Sequence, residues 1–153
     1  MKADPAIKTK LLAKCFEYVE QRIETSRQAM RHAQDSANTE EKSSAGDKYE
    51  TGRAMAQIEC DKAAQQLDEA QKLKFILNQI KLDESNNKVR QGSLVLTKDN
   101  LFYLAISVGK INVDNQDFLV IAPTSPIGQI LLHSKVGDQF TFNKQIQVIM
   151  QIC

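Results

Sequence analysis

The chain has 153 residues, 42% hydrophobic and 25% charged, so one ordinary domain or two small ones can bury a core. Its formal net charge of +1 gives no overall argument for binding nucleic acid or membranes. No apolar run approaches the roughly 20 residues of a membrane helix, and the N-terminus lacks the apolar stretch of a secretory signal. Cys15, Cys60 and Cys153 form no CxxC or Cys/His cluster, which argues against disulfides or zinc. We therefore expect a cytoplasmic protein.

The first half of the chain has the composition of helices, because Ala, Gln, Glu, Lys and Leu dominate it. Asp4 followed by Pro5 predicts a helix start, with the acid as N-cap and proline at the first helical position. Small and apolar residues then recur at alternating spacings of four and three, which is a heptad seam. They are Leu12, Phe16, Val19, Ile23, Ser26, Met30 and Ala33. The pattern predicts a helix from Pro5 to Ser36.

A second stripe of small and apolar residues predicts a second long helix. It consists of Ala56, Cys60, Ala63, Leu67, Ala70, Leu73, Leu77 and Ile80. Folding the stripes about residue 41 brings Ile23 opposite Cys60, as an antiparallel coiled-coil hairpin requires. The alternative is a helix pair within a larger bundle, but the sequence has no third long helix to complete one. The predicted arm spans residues 1–86, with an acidic tip near 37–50.

Two carboxylates lie in the stretch SSAGDKYETGR, at the tip of this predicted hairpin. Asp47 and Glu50 are three positions apart, which places them on one face at the start of the second helix. Ser43 or Ser44 is a predicted N-cap. The helix dipole alone favours acids there, so a purely structural explanation exists. If the tip is functional, two carboxylates suit Mg²⁺ only when oxygens from another molecule complete the site.

The second module, residues 87–153, has the composition of strands, and the fold class is α+β. We predict a small antiparallel sheet with one short helix. The strand-like segments are SLVLT, LFYLAISV, DFLVIA, QFTFN and QIQVIMQI, and VDNQD is a predicted turn. Ser125 and Pro126 are the predicted N-cap and first residue of the short helix.

Taken together, the long coiled coil, the acidic tip and the segment SPIGQILLHSKVGD resemble a Gre-type transcript cleavage factor over nearly the whole chain. The resemblance implies that the C-terminal domain is FKBP-like and docks at the rim of the RNA polymerase secondary channel. The predicted docking residues are Ser125, Pro126, Ile127 and Gly128. The resemblance also implies a monomer that regulates transcription and has no membrane partner. It further implies DNA binding and contact with nascent RNA in the elongation complex.

The tip carries the mechanistic part of the resemblance. In this family the tip has the sequence motif Gly-Asp-x-x-Glu, which Gly46, Asp47 and Glu50 match. The resemblance therefore implies that Asp47 and Glu50 are the catalytic residues and metal ligands. They would direct a Mg²⁺ that is shared with RNA polymerase and bound only transiently. The polymerase would supply the rest of the catalytic site, so the chain would not be an enzyme by itself.

Two alternatives stay open at the level of sequence. The family continues Asn-Ala-Glu-Tyr after the tip, whereas this chain has Thr51, Gly52, Arg53 and Ala54. This departure leaves open a channel-binding regulator or inhibitor without cleavage activity. The other alternative is a coiled-coil interaction module unrelated to transcription.

Overall fold

A computed structural model describes residues 2–41, 46–82 and 87–153, without the side chains of residues 40, 41 and 46–49. The described elements are two long helices, four strands, a short helix and three further strands. In chain order they are α1 (Pro5–Glu41), α2 (Gly46–Asn78), β1 (Leu94–Leu96), β2 (Leu101–Leu104), β3 (Gly109–Val113), β4 (Gln116–Ile121), α3 (Pro126–Leu131), β5 (Gln139–Phe142), β6 (Gln145–Val148) and β7 (Gln151–Ile152). The mixed α+β class is as predicted.

The two long helices have 37 and 33 residues, which corresponds to about 55 and 50 Å. The first begins at Pro5, as predicted, and the Asp4 carboxylate accepts a hydrogen bond of 3.0 Å from the Ala6 amide. It ends at Glu41, beyond the predicted end at Ser36. In the described ranges of the chain, neither helix has a stretch apolar enough to cross a bilayer.

The chain divides into two compact units. The sheet unit consists of Met1–Glu17 together with Phe75–Cys153, and the helical unit is Tyr18–Lys74. The predicted boundary between residues 86 and 87 follows the change of composition along the chain. The compact units divide at other points, because the first turns of α1 and the last residues of α2 are grouped with the sheet.

The sheet unit contains a five-stranded sheet with the order β3-β4-β2-β1-β7. Its pairs are antiparallel as predicted, except that β2 and β4 are parallel, with Phe102 opposite Leu119. The reason is β3, which the sequence analysis missed. The chain passes from β2 to the edge of the sheet as β3 and returns as β4 through a tight turn. In that turn Asp114 and Asn115 have φ of 51° and 63°, as a type I′ hairpin requires.

The segment QIQVIMQI forms two strands, and the prediction of a single final strand is wrong. β6 pairs with β5 in a separate two-stranded sheet, whereas β7 pairs with β1. The exchange occurs at Ile149 and Met150. The buried Ile149 donates its amide to the Asp138 carbonyl beside β5, and Met150 donates to the Leu96 carbonyl of β1. The chain thus changes hydrogen-bonding partner within two residues.

One face of the five-stranded sheet carries the core that it shares with α3 and β5. The buried residues of this core are Val89, Val95, Phe102, Leu104, Leu131, Phe140 and Ile149. Alternate residues of the same strands, such as Tyr103, Phe118 and Val120, point to the opposite face and are also buried. That second face therefore needs a cover of its own.

The start of the chain and the first turns of α1 supply this cover. Ala3, Ile7, Leu11 and Cys15 are buried and lie at intervals of four residues within the sheet unit. Polar contacts hold the start of the chain to the strands: Gln151 Nε2 donates to the Ala3 carbonyl at 3.1 Å. Lys10 Nζ lies 2.7 Å from a carboxylate oxygen of Asp114, in the β3–β4 turn. Cys15 belongs to this buried stripe, whereas the predicted seam contains its neighbour Phe16.

In the helical unit, the predicted seam is buried at most of its positions. The buried members are Val19, Ile23, Ser26 and Ala33 of α1, with Ala56, Ala63 and Ala70 of α2. Cys60, predicted as a core residue, is only half-buried. Lys74 Nζ lies 2.6 Å from a carboxylate oxygen of Glu20, so an ion pair joins the two helices. The predicted facing of Ile23 and Cys60 stays a prediction.

One charged residue lies within the cover of the sheet. Lys8 is 3% exposed, and burial lowers the pKa of its ammonium group. The Cys153 thiolate would raise that pKa and the nearby Arg90 lowers it further, both as smaller effects. A lysine with a lowered pKa in the folded state binds fewer protons there than in the unfolded chain. It therefore destabilises the fold at neutral pH, and the destabilisation fades as pH rises through the folded pKa.

We predict that Lys8→Met raises the free energy of unfolding at pH 7, and that the gain shrinks towards pH 10.5. Thermal unfolding of both proteins across this pH range is the measurement. Lys62→Met, at an exposed position of α2, is the matched control and should leave the pH dependence unchanged. A Lys8→Met protein that is less stable at pH 7 would contradict the account of a costly buried charge.

Candidate functional site

The predicted acidic tip falls at the start of α2. This helix begins at Gly46, so positions 47 and 50 both lie in its first two turns. Positions three apart on a helix share one face, as expected for Asp47 and Glu50. Glu50 is exposed, whereas the side chain of Asp47 lies outside the described part of the structure. The predicted N-caps, Ser43 and Ser44, also lie outside the described residues.

The chemistry of this donor set fits Mg²⁺ only as part of a larger site. Carboxylate oxygens are ligands that Mg²⁺ prefers, but its octahedral shell needs six of them, commonly with several waters. Among the side chains that the structure describes, no group of three or more His, Cys, Asp and Glu lies together as a metal site would. Asp47 and Glu50 could therefore hold a Mg²⁺ together with oxygens from a partner.

The predicted docking segment begins with a capped helix. Ser125 is the N-cap of α3 and accepts a hydrogen bond of 3.1 Å from the Gly128 amide, while its own hydroxyl donates to the Ala122 carbonyl at 2.6 Å. Pro126 occupies the first helical position, where its missing N–H is not needed. Both assignments confirm the sequence prediction. The serine thus ties the helix to the residues before it.

Gly128 is required by the close approach of the backbone. A Cβ atom at this position would lie 2.0 Å from the Ala122 carbonyl oxygen, a distance that no real side chain tolerates. Ile127 is half-buried against the core, whereas Pro126 is exposed. Three of the four predicted docking residues therefore have a role inside the domain. Their partner-binding role stays a prediction, and Pro126 offers the accessible surface.

The end of the same segment, KVGD, forms a tight turn. The Asp138 amide donates to the Lys135 carbonyl at 3.1 Å, and the Asp138 carboxylate accepts from the Lys135 amide at 2.8 Å. Gly137 has φ of 93°, which favours glycine. The cap, the close approach and the turn together explain why these residue types occur at these positions. The segment that most resembles the cleavage factors is thus explained by the fold it forms.

Cys15 and Tyr103 are buried groups with polar atoms in the sheet unit. Burial raises the pKa of the Cys15 thiol to about 12, so it is protonated and unreactive at neutral pH. Burial also raises the pKa of Tyr103, with a smaller contribution from Cys15. The Tyr103 hydroxyl has no hydrogen-bond partner among the described residues. This pair is a structural feature of the sheet's covered face and shows no catalytic arrangement.

The sequence analysis also missed a cleft, which we call the three-turn cleft. It has a volume of about 580 Å³ and lies within the sheet unit, between the β1–β2 turn, the β3–β4 hairpin and the β5–β6 turn. Its lining consists of Asp99, Asn100, Leu101, Lys110, Asn115, Gln116, Asp117, Leu119, Phe142 and Asn143. Only the β3–β4 turn was predicted, as VDNQD, and no spacing along the chain indicates that the three turns converge.

Comparison with known proteins gives little further information. No family model matches the chain, and no curated protein matches it. One similar solved structure is described as that of the transcription factor Gfh1. The two chains are 20% identical, the match covers 90% of this chain and 92% of the other, and the TM-score is 0.34. A likeness at this score supports no conclusion about function.

We predict that Gly128→Ala lowers the free energy of unfolding by about 3 kcal/mol, the upper end for forcing a group into filled space. Urea unfolding monitored by circular dichroism is the measurement. Gln129→Ala, at the exposed next position, should change stability by less than about 0.5 kcal/mol. Equal stability of the Gly128→Ala protein and the parent would refute the close approach to Ala122.

Proposed function

We propose that the protein binds bacterial RNA polymerase through its secondary channel and modulates elongation, by stimulating the cleavage of backtracked RNA. The observation that carries this proposal is the start of α2 at Gly46. It places Asp47 and Glu50 at one end of a helix that runs about 40 Å to Lys74 within the helical unit. Carboxylates at the end of a long helix suit a group that must reach into a narrow channel.

We further infer that α1 and α2 form an antiparallel coiled-coil arm within the helical unit. Two observations support this arrangement: the ion pair between Lys74 and Glu20, and the burial of Ala56, Ala63 and Ala70 at intervals of seven. Alanines at these positions let the helices approach closely. The sheet unit would be the FKBP-like domain, with its five-stranded sheet and the single short helix α3.

In this proposal the chain contributes two carboxylates and the polymerase contributes the rest of the catalytic site. A shared Mg²⁺ supplies Lewis-acid stabilisation of the oxygens in RNA hydrolysis when it is bound. Asp47 and Glu50 would bind the Mg²⁺ at that site and fix its position. In the free protein, the partial positive charge of the helix N-terminus would stabilise the two carboxylates. The chain would therefore be a cofactor of the polymerase's own hydrolysis and no independent enzyme.

A regulator without cleavage activity is the second candidate, and Arg53 favours it. This exposed residue lies three positions after Glu50, on the same face of α2. A guanidinium beside a carboxylate competes with a metal ion for its charge. Such a protein would bind the channel and slow synthesis without shortening the RNA.

We predict that the protein shortens RNA in backtracked elongation complexes, and that Asp47→Asn with Glu50→Gln lowers this rate by about a hundredfold. Removing one preorganised group from a catalytic site typically lowers the rate by about a hundredfold or more. The measurement is cleavage of end-labelled RNA by the cognate polymerase in the presence of Mg²⁺. Binding to the polymerase should be retained, because the substitutions remove only charge.

Glu59→Gln, which removes an exposed acid further along α2, is the matched control and should leave cleavage intact. No cleavage by the parent protein, with binding and slowed synthesis, would replace the cleavage proposal with the regulator. If the protein does not bind the polymerase at all, the remaining alternative is a coiled-coil interaction module unrelated to transcription.

We also propose that Pro126 contributes to docking on the polymerase. Pro126→Ala should weaken binding by about tenfold, because it removes an exposed ring from the interface. Alanine is tolerated at the first helical position, so the fold should be retained. Fluorescence anisotropy of labelled protein with polymerase is the measurement, and Gln139→Ala on β5 is the control. An unchanged affinity of the Pro126→Ala protein would exclude this docking residue.

A further inference from the structure

We propose that the three-turn cleft binds an arginine side chain of a partner protein, seated on an apolar floor with its guanidinium paired with the Asp99 carboxylate. Neither the acidic tip nor the predicted docking segment includes this cleft. Every residue that lines it belongs to the sheet unit. The proposal is independent of polymerase binding.

Hydrogen bonds and turn geometry hold the walls of the cleft in place. The β1–β2 turn is closed by a bond of 2.9 Å from the Thr97 amide to the Asn100 carbonyl, and Gln147 accepts from both side chains. The β5–β6 turn has positive φ at Asn143 and Lys144, as the β3–β4 turn has at its own two central residues. These are the tight hairpin turns that match the twist of the strands. The cleft is therefore formed before a ligand arrives, which lowers the cost of binding.

The size and the floor of the cleft suit an elongated side chain. A volume of about 580 Å³ lies within the range of pockets that bind small ligands. Leu101, Leu119 and Phe142 supply the apolar part of the lining. The ring of Phe142 is fixed by an edge-to-face contact with Phe102, with centroids 5.3 Å apart. The methylene groups of a long side chain can lie against this floor.

The charged side chains that line the cleft favour a cation. Two carboxylates, Asp99 and Asp117, face one ammonium group, Lys110. The hydrogen bond from Asn112 and that from Lys110 lower the pKa of Asp117, which is therefore ionised at neutral pH. Asp99 is exposed and has no partner among the described residues. Its carboxylate is available to a ligand, whereas the charge of Lys110 is already balanced by Asp117.

Arginine fits this arrangement better than lysine does. Its planar guanidinium carries five donors, and it stacks more readily on aromatic rings than an ammonium group does. The carboxylate of Asp99 can accept two of these donors in parallel. The side-chain amide oxygens of Asn115 and Asn143, which also line the cleft, can accept others. An anionic ligand such as a nucleotide would meet the two carboxylates and is disfavoured.

The test is an NMR titration of the full ¹⁵N-labelled chain with N-acetyl-arginine amide. We expect saturable shifts at the side-chain amides of Asn115 and Asn143 and at the Leu119 backbone amide. N-acetyl-citrulline amide has nearly the same shape without the charge, and should bind about tenfold more weakly. Asp99→Asn should also weaken arginine binding about tenfold, and the spectrum itself shows whether this variant is folded.

Asp35→Asn, an exposed acid in the helical unit, is the matched control and should bind the probe like the parent. Equal binding of the citrulline and arginine probes would overturn the proposal, as would an Asp99→Asn variant with unchanged affinity. Tighter binding of uridine monophosphate than of the arginine probe would overturn it too. Since no polymerase is present, none of these outcomes depends on the proposed role in transcription.

Discussion

The change of apolar spacing along α1 is the constraint on which the rest of the structure depends. From Ile7 to Val19 the buried apolar residues of α1 are four apart, and from Val19 onwards spacings of four and three occur. A spacing of four advances the stripe by about 40° around the helix at each step, whereas the heptad pattern keeps it on one side. One continuous helix, Pro5–Glu41, can therefore supply residues to two cores. Its first turns cover the sheet and its later turns bury the seam of the helical unit.

This double use explains why the sheet unit is larger than the strand-rich part of the chain. Residues 87–153 alone would leave Tyr103, Phe118 and Val120 without the stripe that buries them. Beside the stripe lies one buried charged residue, Lys8, and burying its charge costs free energy. A fold that tolerates this lysine must gain more from the surrounding apolar contacts than it loses by burying the charge.

Periodicity predicted the long helices and most strands, because each of these patterns is local. The start at Pro5 and the cap at Ser125 were also predictable, since a capping residue acts on the next three positions. The parallel pairing of β2 with β4 was not, because it depends on where β3 lies in space. The division of QIQVIMQI depends likewise on two distant partners of Ile149 and Met150.

The candidate sites also differ in how far local sequence patterns predict them. The acids at the start of α2 are readable from the sequence as a motif, whereas the three-turn cleft exists only because three distant turns converge. The segment SPIGQILLHSKVGD lies between these cases. Its serine and glycines follow from a cap, a close approach and a turn, so its resemblance to the cleavage factors is accounted for by fold. The proposed function therefore depends on Asp47 and Glu50 at the tip.

The central claim is that the start of α2 reaches the RNA 3′ end inside the polymerase. Photo-crosslinking from benzoyl-phenylalanine in place of the exposed Thr51, in backtracked complexes with labelled RNA, tests it most directly. The same group at Gln139, on β5 of the sheet unit, is the reference position. The account predicts crosslinks to RNA from position 51 and none from position 139. Bound complexes in which position 51 never crosslinks to RNA would contradict it.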